Sequence, residues 1–294
     1  MNKIFSEAIN SLKLAYSIQR KLLKEKTIAE LVTVGRGEDR ATKGDWESEE
    51  VIIRYLKERN LLLRIIAEEH GTIDIVKNPE YLMVLDGIDG SSALVKDPNS
   101  KCGTIISIAD NLNPIYNDFV FAGITEYASK KIFYGIKNNG VYVIENPGEN
   151  ELEKKLPKFN DKNFSENISV MVDCYKAEYA EGITKGLSDF EEFMGKNFAK
   201  YLEGKVALLG GISSAAMCID LIYGNVDAVA QMVAKGVFEP PAMYLLTKEL
   251  EGYATDFKGN SIEDKKWERV DMNLEGVLFS SSKDISESLI RELR

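Results

Sequence analysis

Tyr81-Leu82-Met83-Val84-Leu85-Asp86-Gly87-Ile88-Asp89-Gly90-Ser91-Ser92 is the stretch that decides the reading of this chain. Its first five residues form a short apolar run, the pattern of a buried strand, and they deliver Asp86 to the carboxyl end of that strand. Ligands in mixed α/β proteins gather at such ends. Gly87 and Gly90 ease a turn, so the Asp86 and Asp89 carboxylates and the Ile88 carbonyl can converge on one oxyphilic cation, for which Mg²⁺ is the natural candidate. Gly90, Ser91 and Ser92 then offer backbone N–H groups and hydroxyls where a helix is expected to start, a setting that attracts phosphate. Taken alone, the same residues are also compatible with an ordinary Asp/Gly turn.

The surroundings favour the site. A second apolar run, Leu61 to Ile66, ends at Glu68-Glu69, so two carboxylates stand at the end of a neighbouring strand. Adjacent strand residues point to opposite faces, and only one of the pair is expected to be a ligand. These segments resemble the inositol monophosphatase family, part of the lithium-sensitive, Mg²⁺-dependent phosphatase superfamily that includes fructose-1,6-bisphosphatases and nucleotide 3′-phosphatases. Ala67-Glu68-Glu69 is similar to the family's Gly-Glu-Glu segment, and Asp86 to Ser91 to its Asp-Pro-Ile/Leu-Asp-Gly-Thr/Ser signature. A family Thr-x-x-Asp matches Thr42-Lys43-Gly44-Asp45, and the Trp-Asp signature corresponds to Phe238-Glu239-Pro240-Pro241-Ala242.

The resemblance implies roles by position. Glu68, Asp86, the Ile88 carbonyl, Asp89 and Glu239 would hold two or three Mg²⁺ ions, with Mn²⁺ as a possible substitute. Asp45, Glu68 and Ser91 would be catalytic, Asp45 and Ser91 forming a relay that orients the attacking water. Gly90, Ser91 and Ser92 would bind phosphate, and Gln231 and Lys235 the rest of the substrate. The chain departs from the family pattern at Ala67, at Gly87 in place of proline, and at Glu239, whose stem is one methylene longer than aspartate's. Read without the family, Glu239 is a helix N-terminal residue favoured by the dipole, and Asp45 a helix N-cap. Prolines 240 and 241 suit a first helical turn, where a missing N–H costs nothing. Gln231, where inositol-specific members carry a sugar-contacting Glu, weakens the case for myo-inositol phosphate in particular.

Composition excludes several rivals. A net charge of −10 and the absence of a basic tract argue against a nucleic-acid polymer or an anionic membrane as partner. No apolar run approaches the ~18 residues of a membrane span, and the amphipathic N-terminus is not a signal pattern, so a cytoplasmic location is expected. Three widely spaced cysteines and a single histidine make a zinc site or disulfide framework improbable. His70, directly after Glu69, reads as a solvent-facing turn residue, with a place near the metals as the alternative. Arg40, Lys43, Lys205 and Lys235 are either surface charges or contacts for a second phosphate.

Periodicity predicts helices over 4–26 and 46–59, a strand meander at 103–109, 119–124, 131–136 and 140–143, and a boundary at Pro147 to Asn150. Beyond it come a strand at 168–172, helices at 177–185, 190–201 and 213–223, and a strand at 227–233. Periodicity supports only an α+β or α/β class; the resemblance implies a layered α-β-α-β-α sandwich of the sugar-phosphatase type. Residues 1–150 would carry the metal loops and residues 151–294 form a C-terminal α/β subdomain, packed with the first as one compact unit. The implied activity is hydrolysis of inositol monophosphate and/or fructose 1,6-bisphosphate, probed against two rivals: a nucleotide 3′-phosphatase, and a catalytically weakened phosphate-binding or subunit-interaction homologue. A homodimer and lithium inhibition follow from the resemblance alone.

Overall fold

A computed structural model describes residues 3–32, 41–97, 100–126, 128–160, 162–164, 168–173, 213–231, 238–267 and 276–292. The helices expected at 177–185 and 190–201, Arg40, Lys205 and Lys235, and the side chain of Ser92 lie outside them.

Strand β3 (Tyr81–Asp89) is the spine of the fold. Successive strand residues face opposite sides, and here both sides are covered: Leu82 and Val84 enter one core, Met83 and Leu85 the other. That is why the run is continuously apolar and not alternating. Around β3 lie β1 (Leu63–Ala67), β2 (Gly71–Asp74), β4 (Gly103–Ala109), β5 (Phe119–Glu126), β6 (Lys131–Ile136), β7 (Gly140–Glu145) and β8 (Leu152–Lys155). They form one eight-stranded sheet in the order β2-β1-β3-β4-β5-β6-β7-β8. The expected meander is its antiparallel β4 to β7 portion, and β1 alone runs parallel to β3. Strand β8 lies past residue 150 and still pairs with β7, so this sheet crosses the expected boundary.

Helices α1 (Lys3–Glu25) and α2 (Lys43–Glu58) cover one face. Helix α1 buries Ile4, Ala8, Leu12, Ala15 and Leu22, positions three, four or seven apart, along a single stripe. It packs on β4 to β6 while α2 packs on β3. The opposite face carries α4 (Ser214–Ile222) and α5 (Pro240–Glu249), separated in sequence from the short α3 (Ser91–Lys96). Beneath them lies a second sheet of β9 (Val170–Asp173), β10 (Ala228–Gln231), β11 (Tyr253–Asp256) and β12 (Val277–Ser280), in the order β11-β12-β10-β9. Helix α6 (Lys283–Glu292) packs on β11 and β12 and closes the stack. The layers therefore alternate α-β-α-β-α, as expected. One apolar core lies between α1/α2 and the first sheet, the other between the two sheets.

Candidate metal centre

The parallel pairing of β1 and β3 aligns their carboxyl ends, with Ala67 opposite Leu85. The Glu68 N–H donates to the Leu85 carbonyl at 3.1 Å, which sets Glu68 beside Asp86. Asp86 and Asp89 are three positions apart, and in an uninterrupted strand that odd spacing would send them to opposite faces. The strand is interrupted. Asp86 pairs with Ile105 and Asp89 with Gly103, so three steps on β3 match two on β4. The extra residue is a β-bulge, which re-aims the side chains on either side of it.

The result is a buried triad. Asp86, Asp89 and Glu239 are 3%, 7% and 7% exposed, and each offers a carboxylate oxygen within 4.8 Å of the others. Glu239 stands at the N-cap of α5 and makes no side-chain cap bond. Pro240 and Pro241 occupy the first two helical positions, so they lack N–H groups with which a capping carboxylate could compete for that role. Glu239 is thus both a helix N-terminal residue and a member of the cluster.

Asp89 has a second duty. Its Oδ2 accepts hydrogen bonds from the Ser213 hydroxyl and, at 2.7 Å, from the Ala215 N–H, so it caps the first turn of α4. Gly90 makes this approach possible: it adopts φ +92°, and a Cβ there would come within 2.5 Å of the Ser213 Cβ. Gln231 is buried on β10 and donates to the Ser214 hydroxyl at 2.9 Å, so it abuts the same helix turn.

Asp45 is not an N-cap. Helix α2 begins at Lys43, earlier than expected, with Thr42 as N-cap and Asp45 at the third position of a capping box. Asp45 Oδ2 accepts from the Thr42 N–H at 2.8 Å and from its hydroxyl at 2.6 Å, and the Asp45 N–H returns a bond to Thr42 Oγ1 at 3.3 Å. The Thr-x-x-Asp spacing is therefore a capping box, and Asp45 is hydrogen-bonded to Thr42. Ser91 is half-buried at the start of α3, and the Ile88 side chain is buried beneath the loop. Glu68 stands outside the triad and is exposed. Gly87, expected to loosen the turn, is instead required by close packing: a Cβ there would lie 2.3 Å from the Asp45 carbonyl oxygen.

His70 is also placed differently from its expected solvent-facing position. Its side chain is only 10% exposed, its ring lies 4.0 Å from that of Trp46, and its Nδ1 is 2.8 Å from Glu49 Oε2. Glu49 is fully buried on α2 and accepts the backbone N–H groups of Glu69 and His70 at 3.0–3.2 Å, so it clamps the turn that carries Glu68. Lys43, read as either a surface charge or a contact for a second phosphate, lies 3.6 Å from Glu30.

Burial comes first in the electrostatics and charge repulsion second. Burial, then the charges of Glu68, Asp89 and Glu239, hold the Asp86 carboxyl well above the ordinary carboxylate range. Burial pushes Asp45 up to about 6 despite its bonds to Thr42. Loss of solvation among packed neighbours, then the charges of Glu69 and Asp45, push Glu68 up to about 8, although part of its side chain reaches solvent. Asp86 Oδ1 is buried and accepts no hydrogen bond. An unpaired buried carboxylate oxygen is costly, and a set of hard carboxylate oxygens facing one point is the donor chemistry that Mg²⁺ takes. The residues fit a divalent cation.

Sequence reasoning missed Gln19, Glu49, Thr104, Ser213 and Ala215. Ser213 heads a run of small residues and its local sequence signals an N-cap; its bond to Asp89 spans 124 positions, and no local pattern carries that.

No family model matches the chain. The class 1 fructose-1,6-bisphosphatase of Neisseria meningitidis serogroup B is 30% identical over 148 residues, 46% of this chain and 45% of that protein. The matched segment thus spans about half the length of the curated relative. Among solved structures, the inositol monophosphatase of Thermotoga maritima superposes with a TM-score of 0.69 at 17% identity, over 100% of this chain and 97% of that one. An inositol monophosphatase/NADP phosphatase complexed with Mg²⁺ and phosphate superposes at 0.66 with 15% identity, over 97% and 94%. The chain shares the fold of these two inositol monophosphatase structures.

Proposed function

We propose that this protein is a Mg²⁺-dependent phosphate monoester hydrolase acting on inositol monophosphate and/or fructose 1,6-bisphosphate. The observation that carries the reading is the buried Asp86, Asp89 and Glu239 triad, whose oxygens lie within 4.8 Å of one another at a strand end. These three, with Glu68 and the Ile88 carbonyl, would hold the cation. Bound there, Mg²⁺ would lower the pKa of water and neutralise phosphoryl oxygens. Asp45, held near 6 with Oδ2 engaged by Thr42, is poised to take a proton near neutral pH. Gly90, Ser91 and Ser92 would bind the phosphate, and Gln231, together with Lys235 outside the described residues, would contact the remainder of the ester. The sugar-bisphosphate arm is supported by the Neisseria relative, and the inositol arm by the solved neighbours. No described helix is long and apolar enough to cross a membrane, and the proposed setting is a cytoplasmic homodimer, checked by light scattering.

Phosphate release is to be measured from inositol 1-phosphate, fructose 1,6-bisphosphate and adenosine 3′,5′-bisphosphate, with and without Mg²⁺, for the parent and Asp86→Asn. Mg²⁺-dependent release from the first or second ester, abolished by the substitution, is the expected result. Turnover of the nucleotide alone would reassign the substrate, and no Mg²⁺-dependent release from any of the three would sink the reading.

A further inference from the structure

A fully buried polar network lies directly behind the bulge. At Gly87 the β3–β4 ladder is broken, so its carbonyl cannot take a regular partner on the neighbouring strand. Thr104, the residue opposite the bulge on β4, supplies the missing donor: its hydroxyl donates to the Gly87 carbonyl at 2.7 Å. The same hydroxyl accepts from Gln19 Nε2 of α1 at 2.6 Å, and that amide also reaches the Ser48 hydroxyl at 3.0 Å and the Gly87 carbonyl at 3.4 Å. Thr125 on β5 accepts the Thr104 N–H at 2.9 Å and turns its own hydroxyl to Gln19 Oε1 at 3.4 Å. Gln19, Ser48, Thr104 and Thr125 are all 0% exposed.

Gln19 otherwise occupies the apolar stripe of α1 among Leu12, Ala15, Tyr16 and Leu22, where a hydrophobic residue would pack at no desolvation cost. Its amide nitrogen is instead turned to the Gly87 carbonyl and to the Thr104 hydroxyl that donates to it, while its oxygen accepts from Thr125. Gly87 lies between the two aspartates of the triad, so the tilt of that peptide sets the angle between Asp86 and Asp89.

We infer that Gln19 and Thr104 are positioning residues for the cation site, holding the Gly87 peptide so that Asp86 and Asp89 face the same ion. The inference rests on the triad being a cation site, and the test separates the two ideas.

Mn²⁺ affinity is to be measured by the electron paramagnetic resonance of free Mn²⁺, alongside melting temperature, for the parent and four variants. Thr104→Val removes the hydroxyl at nearly constant volume, Gln19→Leu removes the amide, and Thr104→Ser restores the hydroxyl. Leu22→Ala opens a cavity in the same helix without touching the bulge. Thr104→Val and Gln19→Leu should each weaken Mn²⁺ binding by about 10-fold or more, the effect typical of lost outer-shell support. Thr104→Ser should stay close to the parent, and Leu22→Ala should melt earlier with parental Mn²⁺ affinity. The positioning role is overturned if Thr104→Val binds Mn²⁺ like the parent, or if Leu22→Ala weakens binding as much. A parent that binds no Mn²⁺ overturns the cation-site reading itself, and the positioning role with it.

Discussion

Position 87 shows how one side chain links two parts of the centre. The resemblance sets proline there, and glycine in its place reads from sequence as extra freedom. The backbone of α2 lies against it, with the Asp45 carbonyl oxygen 2.3 Å from where a Cβ would stand. Because the obstacle is backbone, no rotamer change relieves it, and either β3 or the first turn of α2 must move. Overpacking of this kind costs about 1–3 kcal/mol. Gly87→Ala should therefore lower the melting temperature and reduce Mg²⁺-dependent phosphate release, because Asp45 moves with its helix. Gly87→Pro, which installs the residue that the resemblance sets there, should do the same. Parental melting and turnover in Gly87→Ala would refute the contact. The triad itself was legible, since Asp86 and Asp89 lie in one motif and Glu239 matches a second by position. The reason for Gly87 was not, because it depends on a helix more than forty positions upstream.

At the scale of elements, α2 organises one wall of the centre. Asp45 and Glu49 are four apart on one helical face, and the second holds the turn after β1 through the Glu69 and His70 N–H groups. Removing that acceptor leaves backbone donors unpaired, at about 1–3 kcal/mol. Glu49→Ala should melt earlier than the parent and bind Mn²⁺ more weakly, since Glu68 is no longer anchored; Glu49→Gln, which keeps one acceptor oxygen, should fall between. Equal Mn²⁺ affinity in all three would remove Glu49 from the centre. Sequence periodicity located α2 but started it three residues late, because the Thr42 to Asp45 pair reads as a catalytic motif and as a helix start at once. The turn after β11 offers a pH test away from the triad. Asp256 is opposed by burial, yet its bonds to Lys265 at 2.7 Å and to the Asn260 N–H at 2.8 Å outweigh it and hold the carboxyl below its ordinary value. A lowered folded pKa means stability that is present above the unfolded pKa and lost as pH falls through the folded one. The melting-temperature gap between the parent and Asp256→Asn should thus be full at neutral pH and shrink below about pH 4. A gap independent of pH would show that the charge contributes nothing.

For the whole molecule, the first sheet was legible as a meander because its strands pair with sequence neighbours across short turns such as Asn138-Asn139-Gly140. The order β11-β12-β10-β9 was not, since its four-residue strands are gathered from positions 170 to 280 and no local signal orders them. The candidate cation site sits where these two kinds of structure meet. Asp86 and Asp89 belong to the first sheet, while Glu239 heads α5, which packs on both sheets. A cation bound by all three joins segments distant in sequence, and the unfolded chain does not offer that site. Linkage then gives about 2.7 kcal/mol of stabilisation at a hundredfold excess over Kd. For a chain of this size that corresponds to a rise of roughly 4 °C in melting temperature. Glu239→Gln separates the metal effect from simple charge relief. Without metal it should melt above the parent, because one of the mutually repelling buried carboxylates is gone. With Mg²⁺ it should gain less than the parent does, because one ligand is weakened. Scanning melts of both proteins in chelator and in Mg²⁺ decide the matter: a crossing pattern supports a metal held across the layers, whereas equal Mg²⁺ shifts in parent and variant would place Glu239 outside the coordination set.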